Sequence, residues 1–137
     1  MLNIALDSDE GATSIADISK REGISVAYLE QLLNRLRRSG LVNSIRGPKG
    51  GYVLSRDPSD ITVRDIVTVL EGSIYPVHCV KTGGVVSKMC KNRNSCVPKL
   101  VWVKLAKAIS ECLESVTLRD LCAEAKRDRS NTRLGRL

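Results

Sequence analysis

The sequence has 137 residues, enough for one domain or one domain with an appendage, and its 22 Lys and Arg outnumber 15 Asp and Glu to give a net charge of +7. This excess favours an anionic partner, nucleic acid or a membrane surface. No run reaches the roughly 18 to 20 apolar residues of a membrane span, which excludes a spanning helix.

The opening "MLNIALDSDEG" lacks the basic start and long apolar core of a secretory leader. Five cysteines, an odd number, argue against a closed extracellular disulfide framework. A cytoplasmic chain is expected, and there clustered cysteines point to metal or redox chemistry. With one Trp, three Tyr and no Phe, the core must come from Leu, Ile and Val. A modest core of this kind is often completed by a partner subunit.

In chain order, Ser14 is placed to cap a helix over Ile15 to Glu22, with Asp17 three residues on and Gly23 as terminator. Ser25 caps a longer helix over Val26 to Ser39, ending at Gly40. Helix, tight glycine turn and helix form a helix-turn-helix. In the second helix Val26, Leu29, Leu33 and Leu36 recur at three and four, the expected buried stripe. Two β-prone runs follow, Leu41 to Ile45 and Tyr52 to Leu54, around a turn of Gly47, Pro48, Gly50 and Gly51. This makes a hairpin with Arg46 and Lys49 at its tip, so a winged helix is expected. Thr62, with Asp65 three residues on, starts a further helix over Val63 to Glu71, closed by Gly72.

Residues 74–98 hold Pro, Gly and three of the cysteines and read as a long ordered loop. Helix returns from residue 99, where Trp102, Leu105, Ile109, Cys112 and Val116 step by three and four in a heptad seam suited to a dimer interface. Packing of that helix on its own domain is the alternative. Thr117 with Asp120 begins a last short helix, "TLRDLCAEAK". The fold class is thus mainly α with a small two-stranded β-wing. A winged helix-turn-helix over 1–73 precedes a cysteine loop over 74–98, a dimerisation helix with a short C-terminal helix over 99–126, and a basic frayed tail over 127–137.

The N-terminal half of a recognition helix meets base edges in the major groove. Here it carries Ala27, Tyr28, Glu30 and Gln31. Gln31 can pair bidentately with adenine, and Glu30 can accept from cytosine. Glu30 also penalises any site offering it no donor, which makes it a discriminating residue. Arg35, Arg37 and Arg38 suit phosphates, and Arg46 and Lys49 at the wing suit a narrow minor groove. Taken singly, the arginines could equally be a solvated face.

Cys79, Cys90 and Cys96 are spaced C-x10-C-x5-C, with Lys81, Lys88, Lys91 and Arg93 between them and no acid. Cations near thiols favour the metal-binding thiolate and offset the negative charge of a thiolate-ligated cluster. Zinc sites usually bring cysteine pairs at C-x2-4-C, absent from this loop, so iron–sulfur ligation is preferred. Structural zinc, disulfide-exchange sensing and inert thiols remain the competing readings. Cys112, on the apolar seam, reads as core, and Cys122 as packing. His78, the only histidine, adjoins Cys79 and is structural or a ligand. No C-x-x-C or catalytic Cys–His setting supports a thiol redox enzyme.

Residues 24–72, with "YLEQLL", "LRRSGLV" and "RGPKGGYVL", resemble the winged-helix repressor family that includes IscR, NsrR and CymR. The cysteine loop, "LVW" and "TLRDLC" extend the resemblance to about residue 125, toward the IscR branch. It implies a homodimeric DNA-binding repressor that binds double-stranded operators and is not an enzyme. It implies an iron–sulfur cluster on Cys79, Cys90 and Cys96, 2Fe–2S in preference to 4Fe–4S. It places Ala27, Glu30 and Gln31 at base-reading positions and Arg46 at the wing tip. Three departures matter. Lys99 stands where the IscR pattern has a histidine, three residues after the last cysteine, and the Cys79–Cys90 spacing is longer. The fourth ligand is therefore His78, a carboxylate such as Asp7, solvent or a partner residue. The family's basic opening stretch is also missing before "MLNIAL", so either the start is truncated or the first helix is short. A cluster-free, CymR-like repressor governed by a partner protein or thiol oxidation is the alternative, and a cluster donor is a further candidate partner.

Overall fold

Hydroxyl caps start most of the helices, and the computed structural model shows each in place. It describes residues 1–72, 75, 77, 80, 81, 85, 86 and 96–134. A short helix α1, Leu2–Leu6, leads to α2, Ile15–Glu22, whose Ser14 Oγ accepts from the Asp17 amide at 3.1 Å. Gly23 closes α2 in the left-handed conformation that costs glycine no Cβ clash. α3, Val26–Arg38, starts on Ser25, whose Oγ accepts from the Tyr28 amide at 3.3 Å. α4, Val63–Glu71, has a full capping box between Thr62 and Asp65. The helix-turn-helix and its boundaries thus agree with the local signals.

Strands β1, Val42–Ile45, and β2, Gly51–Leu54, pair antiparallel with Val42 opposite Leu54 and Ile45 opposite Gly51. A 3-10 turn over Pro58–Asp60 links the wing to α4. Within the expected loop, β3, Val80–Lys81, pairs with β4, Val85–Val86. α5, Lys99–Ser115, and α6, Leu118–Leu134, complete the chain. α6 runs well past Lys126, where the short helix was expected to give way to a frayed tail.

The core gathers Ile4, Ile18, Leu29, Leu33, Leu36, Leu41, Val42 and Ile61 from the helix-turn-helix and wing, and Leu118 from α6. The aliphatic composition is therefore sufficient to seal one cluster. Val26 departs from expectation: it lies at the first position of α3, beyond the reach of the core, and is 41% exposed.

Backbone pairing brings Leu118 into this core. The Leu118 amide donates to the Ile61 carbonyl at 2.8 Å, and the Val63 amide to the Val116 carbonyl at 2.9 Å. Thr62 and Thr117 form the bridge between them. Arg119 Nη2 donates to both carboxylate oxygens of Asp57, at 2.7 and 2.9 Å. The start of α6 is thereby part of the winged-helix body, although more than fifty residues of sequence separate the paired segments.

Candidate nucleic-acid interface

Burial of Leu29, Leu33 and Leu36 fixes which way α3 faces. Ala27, Tyr28, Glu30, Gln31, Arg35 and Arg38 all lie exposed, and Tyr28 shows 53% of its surface. The capped N-terminus therefore presents a short methyl, a phenol, a carboxylate and an amide together. That set can read base edges by hydrogen bonds and apolar contact.

The arginines divide by partner. Arg35 Nη1 donates to the Leu70 carbonyl at 3.0 Å, so part of its hydrogen-bonding capacity serves the last turn of α4. Arg37 Nη2 donates to Asn34 Oδ1 at 3.3 Å. Among the described residues no hydrogen bond or ion pair holds Arg38, Arg46 or Lys49, and all three are exposed. These cations are available to phosphates.

The wing tip folds through Gly47 to Gly50, where the Gly50 amide donates to the Gly47 carbonyl at 2.9 Å. A Cβ on Gly50 would meet the Ile45 carbonyl oxygen and lie 2.8 Å from that of Gly47. Only glycine fits this crossing. Arg46 and Lys49 flank the tip, and Ile45 beside Arg46 is 49% exposed.

Sequence reasoning missed what anchors the wing. Thr13 and Tyr52 exchange backbone hydrogen bonds, at 3.0 and 2.9 Å, so the loop before α2 adds a one-residue third strand to β2. A Cβ on Gly51 would collide with the Thr13 carbonyl, so the glycine permits that approach. Buried Thr13 donates from Oγ1 to Asp7 Oδ2 at 3.3 Å. Arg21 Nη1 donates to Asp7 Oδ1 and Oδ2 at 2.9 and 2.7 Å. A β-branched residue just before the helix cap was the one local hint. Asp7 carried no signal beyond its charge.

Of the candidate cluster ligands, Cys96 is a free thiol, partly buried, and its carbonyl accepts from the Lys99 amide at 3.3 Å where α5 begins. Cys79, Cys90 and His78 lie outside the described residues. Among the described residues no group of three metal-binding side chains converges. The Asp7 carboxylate, considered as a fourth ligand, is taken up by Arg21 and Thr13.

The expected seam on α5 splits. Trp102, Ile109 and Val116 are half-buried, whereas Leu105 and Cys112 are exposed. Ala106 and Ser110 form the face that is buried. Leu105 and Cys112 align instead with exposed Val101 and Ala108, so the open stripe is rotated from the predicted one. Cys112 is thus not core within its own chain. Cys122 packs against the central cluster, and burial raises its thiol pKa against the opposing pull of Lys126. No described helix is long and apolar enough to cross a membrane.

The model of the family Rrf2, described as an iron-dependent transcriptional regulator, matches residues 1–124. The HTH-type transcriptional regulator IscR of Klebsiella pneumoniae is 40% identical over 121 residues, covering 88% of this chain and 71% of that protein. Among solved structures, CymR, the global cysteine regulator of B. subtilis, superposes with a TM-score of 0.72 at 39% identity, covering 90% of this chain and 87% of that one. IscR of T. potens gives 0.71 at 41% identity, covering 90% and 78%.

Proposed function

From the premise that the chain belongs to the Rrf2 family of transcriptional regulators, a DNA-binding and non-enzymatic family, we propose that it is a homodimeric, operator-binding repressor whose three-cysteine loop holds an iron–sulfur cluster. α3 lies in the major groove, with Ala27, Tyr28, Glu30 and Gln31 on base edges. Arg35 and Arg38 serve phosphates, with Arg46 and Lys49 serving the minor groove. The observation that carries this reading is the exposed polar face of α3 beside a wing tip whose cations have no partner among the described residues.

Cys79, Cys90 and Cys96 are the proposed ligands. The donor chemistry fits: Cys96 is a free, partly buried thiol at the start of α5, and soft thiolates suit iron–sulfur centres. A cluster held there, 2Fe–2S in preference to 4Fe–4S, would supply a redox-sensitive crosslink within the loop, its last ligand three residues before α5. The loop follows directly on α4, and α5 carries the exposed apolar stripe through Val101, Leu105 and Cys112. A second copy of the chain covers that stripe, with Trp102, Ile109 and Val116 at its margin. Cluster state then couples to operator affinity through the relative placement of two recognition helices.

The test is anaerobic purification with a visible spectrum and assays of iron, sulfide and zinc. Near-equal iron and sulfide, with colour lost on changing Cys79, Cys90 or Cys96 to Ala but retained on changing Cys112, supports the ligand set. Equal operator affinity of holo and apo protein at one salt concentration would sink the switch. Lys99, in place of a fourth nitrogen ligand, favours a second reading: a cluster-free repressor governed by thiol oxidation or a partner protein. Metal-free protein that resists reconstitution and still binds operator DNA would select it.

A further inference from the structure

We infer that Asp7 is a positioning residue for DNA binding, holding the wing at its working angle through Thr13. The inference rests on the reading that the wing contacts DNA. Asp7 follows the last residue of α1, and its side chain is 18% exposed. Its carboxylate accepts from Arg21 in the last turn of α2 and from the Thr13 hydroxyl. The Thr13 backbone is in turn locked to Tyr52 by two hydrogen bonds, and Tyr52 lies opposite Ser44 in the wing. One carboxylate thus joins the helix-turn-helix to the wing.

The wing needs such a tie. Its tip is exposed and built on glycines, and two strands of four residues fix their own tilt poorly. Tilt decides whether Arg46 meets the minor groove while α3 sits in the major groove. The Thr13 pairing sets the tilt, and Asp7 sets Thr13.

The test is a double-mutant cycle on the full chain, using a duplex enriched from a random-sequence pool by the wild-type protein. Affinity is measured at one salt concentration for wild type, Asp7→Ala, Arg46→Ala and the double variant. Asp7→Ala is expected to lose roughly five- to tenfold, within the range of one specific contact. The double variant is expected to lose less than the sum of the two single losses, because both changes remove the Arg46 contact. Thr13→Val, which keeps the backbone pairing and deletes the hydroxyl donor, is read in the same way if Asp7→Ala fails to fold. Additive losses, or unchanged affinity in Asp7→Ala and Thr13→Val, overturn the assignment of Asp7. No loss in Arg46→Ala overturns the wing–DNA contact itself, and the inference with it.

Discussion

Arg35 of α3 donates to the carbonyl oxygen of Leu70 at 3.0 Å, tying α3 to the last turn of α4. Carbonyls at a helix C-terminus lack partners within the helix and carry partial negative charge, so a guanidinium is well suited to them. The same helix carries Arg38, exposed and unpaired among the described residues. Arg35 therefore divides its donors between the fold and the proposed phosphate contact, whereas Arg38 keeps all of its own for the second duty.

Their substitutions should separate those duties. Arg35→Ala is expected to lower stability by about 1 kcal/mol, the scale of one exposed charge-assisted hydrogen bond. Arg38→Ala should leave stability within about 0.5 kcal/mol and reduce the salt slope of DNA binding by about 1. Thermal melts and titrations at several salt concentrations check both. A larger fall in slope for Arg35 than for Arg38 would reverse the assignment.

Leu118 tests whether α6 belongs to the winged-helix body. It is 1% exposed and follows the backbone pairing between Thr62 and Thr117. Leu118→Ala should cost about 2–5 kcal/mol, as for other buried leucines. Denaturant unfolding followed at the wing and at α6 should show one shared transition. Separate transitions would mark α6 as an independent appendage.

Leu105, 41% exposed on α5, and Ala106, fully buried beside it, should behave oppositely. Leu105→Glu is expected to leave the fold intact and yield monomers by sedimentation. Ala106→Glu should unfold the chain, because it forces a charge into a packed interface. If a second copy covers this stripe as proposed, Cys112 should alkylate more slowly in the wild type than in Leu105→Glu, where it stands open. Equal rates in the two states would place the contact elsewhere.

Acid should loosen the start of α6. The Asp120 pKa lies below its ordinary value of 3.8 because the Thr117 hydroxyl and amide donate to the carboxylate. Asp57 is lowered by Ser59 first and by Arg119 as well. A carboxylate whose folded pKa is depressed binds its proton more readily in the unfolded chain. Its stabilising contribution is therefore present above about pH 3.8 and is lost as pH falls through the depressed folded value. Asp120→Asn should be less stable at neutral pH and show a flatter decline below pH 4. Acid titrations of the melting temperature for both proteins provide the comparison.

The wing turn should tolerate no side chain at Gly50. A methyl there meets two carbonyl oxygens, so Gly50→Ala must distort the tip that carries Arg46 and Lys49. A larger loss of operator affinity than of melting temperature is expected, because the core lies elsewhere. Unchanged affinity would show that the tip is dispensable.

The sequence by itself determined the elements whose causes are local. Ser14, Ser25 and Thr62 cap α2, α3 and α4 because a hydroxyl reaches an amide three residues away. Leu29, Leu33 and Leu36 declare the buried face of α3 by their spacing, and with it the exposed face proposed to read bases. Only the tertiary structure decided that Thr13 completes the wing, that Asp7 joins Arg21 to Thr13, and that the 61–63 and 116–118 segments pair to seal Leu118. Backbone hydrogen bonds carry no residue code, so pairing across fifty residues leaves no periodic trace. The same holds for α5. Heptad spacing announced an apolar stripe, but spacing cannot say which neighbour covers it. α5 packs against α4 and β3, with Ala106 and Ser110 turned inward and Leu105 and Cys112 facing out.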